Sequence, residues 1–146
     1  MKTMTIGDSW SSAIEADTGN DAGWPDMMQI DHRQAISGST AAEWAGNKEG
    51  RLDKAIETDA DVLILSLLGN DFRRAIQDGS ISIAEITACF QDMRKVVRAA
   101  KKKRTIVILY ADPFCGSNQL AALGVEIINM TIIQACIDID VDSNYS

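Results

Sequence analysis

The chain has 146 residues, a formal net charge of −7 at neutral pH, 46% hydrophobic residues and 24% charged residues. That length suits one domain with one sizeable core, and residues 1–146 are expected to form a single domain. So acidic a chain has no electrostatic reason to bind nucleic acid or an anionic membrane surface, and neither is an expected partner.

The three cysteines, Cys89, Cys115 and Cys136, include no C-x-x-C pair. That argues against a disulfide framework and a thiolate zinc site, and no metal or organic cofactor is expected. Residues 1–7 hold one lysine and a short apolar run, unlike a signal peptide, and no apolar stretch is expected to approach the length needed to span a membrane. The expected setting is cytoplasmic.

Residues 2–6 read as a first strand ending at Gly7-Asp8-Ser9. Residues 21–30 read as a helix with Pro25 in its first turn, and residues 34–37 as a short second strand. Residues 40–58 are helical in composition, interrupted around Gly46 and Gly50. Residues 61–68 (DVLILSLL) form a continuous apolar run, as a parallel strand covered on both faces requires. A long helix is expected over 82–103. Ser82 and Glu85 have capping-box spacing, and Ile83, Ile86, Phe90, Met93 and Val97 give one apolar face. The run Lys101-Lys102-Lys103-Arg104 reads as a solvated helix end that complements the helix dipole.

Residues 105–110 (TIVILY) read as another buried strand. Residues 118–134 read as a helix broken at Gly124. Residues 136–141 alternate apolar side chains with Asp138 and Asp140, the period of a last, half-exposed strand. Strands alternating with helices imply βαβ units and a three-layer, flavodoxin-like α/β parallel sheet. In such sheets ligands bind beyond the carboxyl ends of the strands.

Three strand ends carry polar or flexible residues: Gly7-Asp8-Ser9, Ser37-Gly38-Ser39 and Gly69-Asn70-Asp71. A serine on an exposed turn, a backbone N–H beside Gly38 and the amide of Asn70 are the groups acyl transfer wants, a nucleophile and donors aimed at an oxyanion. In this order and spacing the chain resembles the SGNH (GDSL-like) hydrolases, whose blocks are named for Ser, Gly, Asn and His. The first block is matched by Ile6-Gly7-Asp8-Ser9, the second by Gly38, and the third in part by Leu68-Gly69-Asn70-Asp71. The resemblance implies a nucleophilic Ser9, an oxyanion hole from Ser9 N–H, Gly38 N–H and Asn70, and a small ester as substrate. It implies a structural role for Asp8, and Asp71 is expected to support its loop rather than to act as a base.

The match has two departures. Leu68 stands where the third block usually has its first glycine. The Asp-x-x-His block that supplies the base has no counterpart in Asp142-Ser143-Asn144-Tyr145-Ser146. The sole histidine, His32, is expected at the amino end of a strand, far from Ser9. Three accounts stay open. The chain is a piece of a longer enzyme that ends before the histidine, which is the expectation, or an inactive relative that uses the pocket for binding, or a different α/β domain. Trp10 and Phe72 suit either an acyl pocket or the core. Trp24 and Trp44 read as packing residues, and Asp112-Pro113-Phe114 as a plain turn. Asp138-x-Asp140-x-Asp142 has the spacing that opens a calcium loop, but Ser143 stands where glycine is needed, so a solvated strand face is expected.

Overall fold

A computed structural model of the chain describes residues 1–8, 30–36, 38–72, 82–110, 117 and 119–144. Ser9, Trp10, Trp24, Ser37 and residues 112–114 lie outside these, as does all of the expected 21–30 helix except Ile30.

Strand β1 (Thr3–Gly7) is central because Met4 and Ile6 are wholly buried, and it pairs on both sides. Its partners are β2 (His32–Arg33) and β3 (Val62–Ser66), both parallel, with Met4 opposite His32 and Gly7 opposite Ser66. Strand β4 (Arg104–Val107) adds to β3, giving the order β2-β1-β3-β4. All pairs are parallel, as the apolar run of β3 predicts, and every residue of β3 is buried. The α/β parallel sheet expected from the sequence is therefore present.

Four expectations are corrected. The second strand lies earlier than residues 34–37, at His32–Arg33, although Gln34 N–H and Ile36 N–H still donate to Thr5 and Gly7 carbonyls at 2.9 Å each. Strand β4 is not buried: among the described residues it is an outer strand of the sheet, and Ile106 is 52% exposed. It reads RTIV, with Arg104 and Thr105 in the strand, and is less apolar than the VLILS of β3.

The third correction concerns the C-terminal third. Residues 118–134 and 136–141 are not a broken helix and a strand but, from residue 119 on, one helix, Gln119–Asn144. Ile128, Ile132, Ala135 and Ile139 recur every three or four residues and are all buried. That helical stripe outweighs the local alternation around Asp138 and the cost of about 1 kcal/mol for Gly124 in a helix interior. Asp138 therefore lies on a helix, where it pairs with Arg94 at 2.6 Å. The fourth correction follows from the same helix. Its stretch Ala122–Ile139, mean hydropathy 1.5, is long and apolar enough to cross a membrane by length and composition, yet it packs one face into the protein core.

The other helices follow the sequence closely. Helix α1 (Ala41–Ala45) opens on a capping box between Thr40 and Glu43. A 3-10 turn (Lys48–Gly50) leads to α2 (Arg51–Glu57), so the break falls where the glycines suggest. Helix α3 (Ile83–Ala100) is capped by Ser82, whose hydroxyl accepts from Glu85 N–H at 3.1 Å. Its buried face is Cys89, Met93, Val96, Val97 and Ala100, whereas Ile83 in the first turn is 84% exposed. The final helix, numbered α4 (Gln119–Asn144), packs on α3, which also packs on α1. The basic run is only partly solvated. Lys101 and Lys102 are exposed, but the Lys103 ammonium donates to the Thr58 and Ala60 carbonyls at 2.8 and 2.6 Å.

Candidate active site

At the carboxyl ends of β1 and β3 the two backbones lie against each other. A Cβ on Gly7 would sit 1.9 Å from the Ser66 carbonyl oxygen, and Gly7 has φ +113°. Only glycine satisfies both conditions, which fixes the start of the Gly7-Asp8-Ser9 turn. Asp8 N–H then donates to Ser66 O at 2.9 Å.

The Asp8 side chain turns inward and is 1% exposed. Ser66 Oγ donates to its Oδ1 at 2.8 Å, and the Tyr110 phenol donates to its Oδ2. Tyr110 follows β4 and is itself buried. Burial, and then the Asp8 carboxylate, push the Tyr110 phenol well above its ordinary range. It therefore acts as a hydrogen-bond donor and is unsuited to be a base. Asp8 has the structural role that the resemblance implies, with a buried carboxylate held by two hydroxyls.

Beyond β2, Gly38 has φ +80°, and a Cβ there would meet nothing within 4 Å. Its requirement for glycine is conformational rather than one of space. The next residue, Ser39, is 2% exposed. Its hydroxyl lies 2.8 Å from Gly7 O and 2.7 Å from Ile36 O, sharing one hydrogen between them, and it accepts from Trp44 Nε1 at 2.9 Å. Trp44 is fully buried, as its packing role predicts, so the Gly38-Ser39 turn is anchored both to β1 and to α1.

Residues 69–72 are helical, so Asn70 stands in the first turn after β3. Its Nδ2 donates to Ser39 O at 2.9 Å. One of the two Nδ2 hydrogens thus sets the plane of the amide, and the second is left to be donated elsewhere. Both Asp71 oxygens accept from Ala41 N–H, at 3.0 and 3.1 Å, capping α1 from a distant loop. Burial, opposed by that N–H, raises the Asp71 carboxyl above the usual carboxylate range. Asp71 supports the loop, in line with the role expected for it. Phe72 is 1% exposed, so of its two sequence roles the core one holds.

Leu68, the departure in the third block, has φ +90° and is fully buried. The backbone at this position takes a conformation that suits glycine, and a leucine occupies it with its side chain packed in the core. Next to it, a Cβ on Gly69 would lie 3.0 Å from the Tyr110 ring, and Gly69 N–H donates to the Tyr110 phenol oxygen at 3.2 Å. Sequence reasoning missed Tyr110 and Ser66. The available signal was a polar-tipped aromatic at the carboxyl end of a strand that would share its edge with the other blocks.

His32 lies in β2 opposite Met4, three residues before the level of Gly7, or about 10 Å along the strand. Its Nε2 sits 2.7 Å from Asp59 Oδ1, and Lys2 pairs with the same carboxylate. Those two partners, Lys2 first, hold the Asp59 carboxyl down at about 2. The one imidazole of the chain is thus engaged at the amino ends of the strands, opposite to the Gly38 and Asn70 turns.

No protein-family model and no curated protein sequence matches the chain. Solved structures do. The acetyl xylan esterase AlAXEase superposes with a TM-score of 0.66 at 14% identity, over 96% of this chain and 74% of its own. A variant of Axe2, an acetyl xylan esterase from Geobacillus stearothermophilus, gives 0.62 at 14% identity, over 95% of this chain and 73% of its own. Phospholipase A1 from Streptomyces albidoflavus gives 0.58 at 14% identity, over 95% and 76%. The chain has the α/β fold of these esterases and of this phospholipase.

Proposed function

We propose that the chain carries the site of a serine ester hydrolase of the SGNH (GDSL-like) type, with Ser9 as nucleophile. The oxyanion hole consists of Ser9 N–H, Gly38 N–H and the Asn70 amide. One observation carries this reading: the three turns named by the motif are bonded in series. Asn70 Nδ2 donates to Ser39 O, beside Gly38, and Ser39 Oγ donates to Gly7 O, two residues before Ser9. The fold shared with acetyl xylan esterases supports an ester as the substrate class.

In this reading Ser9 Oγ attacks the ester carbonyl carbon and passes its proton to solvent water, the carbonyl π electrons move onto the carbonyl oxygen, and a proton from water later reaches the departing alkoxide. The two N–H groups and Asn70 stabilise that oxyanion, the alcohol leaves, and water hydrolyses the acyl-serine. A serine without a base is a poor nucleophile at neutral pH, and His32 is turned away toward Asp59. That placement favours a second reading, a base-free binding module at the same strand ends.

The test is hydrolysis of p-nitrophenyl acetate by the full chain, Ser9→Ala and Asn70→Ala. We expect loss of turnover in the first variant and a fall of about 10²-fold or more in the second. Equal rates for Ser9→Ala and the parent refute the nucleophile. Absence of turnover, with binding of an acetylated sugar that Asn70→Ala weakens, replaces the hydrolase by the binding module.

A further inference from the structure

The buried phenol of Tyr110 joins two turns that the proposed chemistry needs at a fixed separation. Its hydroxyl donates to Asp8 Oδ2, next to Ser9 in sequence, and accepts from Gly69 N–H, next to Asn70. A single oxygen therefore bridges the segment bearing the nucleophile and the segment bearing the side-chain oxyanion donor.

The bridge is itself held from behind. Asn129 of α4 grips the Tyr110 backbone with two bonds of 2.8 Å, one from Tyr110 N–H to Oδ1 and one from Nδ2 to Tyr110 O. In front, a Cβ on Gly69 would sit 3.0–3.2 Å from the Tyr110 phenol and would have to push it back by a few tenths of an ångström. Ser66 Oγ holds the other oxygen of Asp8, so the carboxylate cannot rotate to follow a displaced phenol. The long final helix is in this way connected to both turns through one residue.

We propose that Tyr110 is a positioning residue of the ester-hydrolase site, setting the separation of the Asp8-Ser9 turn from the Gly69-Asn70 turn. This rests on the hydrolase reading above. Tyr110 touches neither substrate nor reacting atoms. It acts through Asp8 and Gly69, and its loss lets the oxyanion donor drift relative to the nucleophile. A misplacement of about 1 Å in such a site costs on the order of 10²-fold in rate.

The experiment uses the full chain and Tyr110→Phe, which keeps the ring against Gly69 and removes only the bridging oxygen. Ser9 is labelled with an alkyl fluorophosphonate over a concentration series and followed by intact mass, giving a maximal labelling rate and a half-saturation constant. Hydrogen exchange at the Gly69 amide is measured by NMR on both proteins. We expect a maximal labelling rate lowered tenfold or more, at order of magnitude, with half-saturation unchanged. Gly69 exchange should speed up by about fivefold, the loss of one hydrogen bond. Ser66→Ala, which loosens Asp8 without touching Gly69, should slow labelling while leaving Gly69 exchange as it is.

If Tyr110→Phe labels at the parent rate while Gly69 exchange accelerates, the bridge is structural and the positioning role is overturned. If half-saturation shifts and the maximal rate does not, Tyr110 shapes binding instead, and the proposal is again overturned. If the parent is labelled no faster than Ser9→Ala, the hydrolase reading fails and the positioning role falls with it. That outcome is distinct from the first two, in which the parent is labelled.

Discussion

Leu68 offers a test of backbone strain that the core normally hides. The residue has φ +90° and is fully buried. Truncating it to alanine removes a packed side chain, at about 2–5 kcal/mol, and leaves a Cβ in the strained conformation. Truncating it to glycine removes one methyl more but releases the strain of about 1–2 kcal/mol carried by an L-residue there. Against that stands the extra freedom of an unfolded glycine, about 0.4–1 kcal/mol. With about 0.8 kcal/mol for the lost methyl the terms nearly cancel, so Leu68→Gly should match Leu68→Ala to within about 0.5 kcal/mol, while both are weaker than the parent. Leu67 is the control, since it is equally buried and its φ is not positive. There glycine should be the worse substitution by roughly 0.5–1 kcal/mol. Urea unfolding of the four variants with a common m-value reads both differences. A deficit of glycine relative to alanine as large at position 68 as at position 67 would falsify the strain argument and leave packing as the whole account of that site.

Two further predictions concern the strand ends. Gly7→Ala puts a methyl 1.9 Å from a backbone oxygen, so it should open the β1–β3 pairing or abolish folding. Gly38→Ala meets no atom and should cost only the strain of about 1–2 kcal/mol, as urea unfolding and amide exchange along β3 will show. Asp71 has a folded-state pKa above its ordinary value, so the folded chain holds that proton to higher pH than the unfolded chain. Its contribution therefore favours folding at low pH and is lost as pH rises from about 4 through the folded pKa. Asp71→Asn keeps an acceptor for Ala41 N–H and cannot titrate. Relative to this variant the parent should gain stability as pH falls from 7 to 4, and a gap independent of pH refutes the burial cost.

Local chemistry made much of this protein legible in its residues. The apolar run of β3 leads to a buried parallel strand, because no amphipathic alternative fits a continuous stretch. Ser82 with Glu85 marks a helix start because capping needs only groups three residues apart. Gly46 and Gly50 break α1 from α2 for the same local reason. The turns at Gly7, Gly38 and Asn70 were also visible, because glycine and small polar residues interrupt the apolar pattern at three expected strand ends.

What the tertiary structure decided depends on neighbours that are distant in sequence. Ile64 of β3 and Ile106 of β4 are paired isoleucines in neighbouring strands, yet the first is buried and the second exposed. The alternation around Asp138 suits a strand locally, and the helix wins because Ile132, Ala135 and Ile139 find a core to face. The Asp71 cap on Ala41 and the Tyr110 bridge between Asp8 and Gly69 each join segments tens of residues apart. No periodicity or spacing records such contacts, because they arise only when the sheet sets its strand ends side by side.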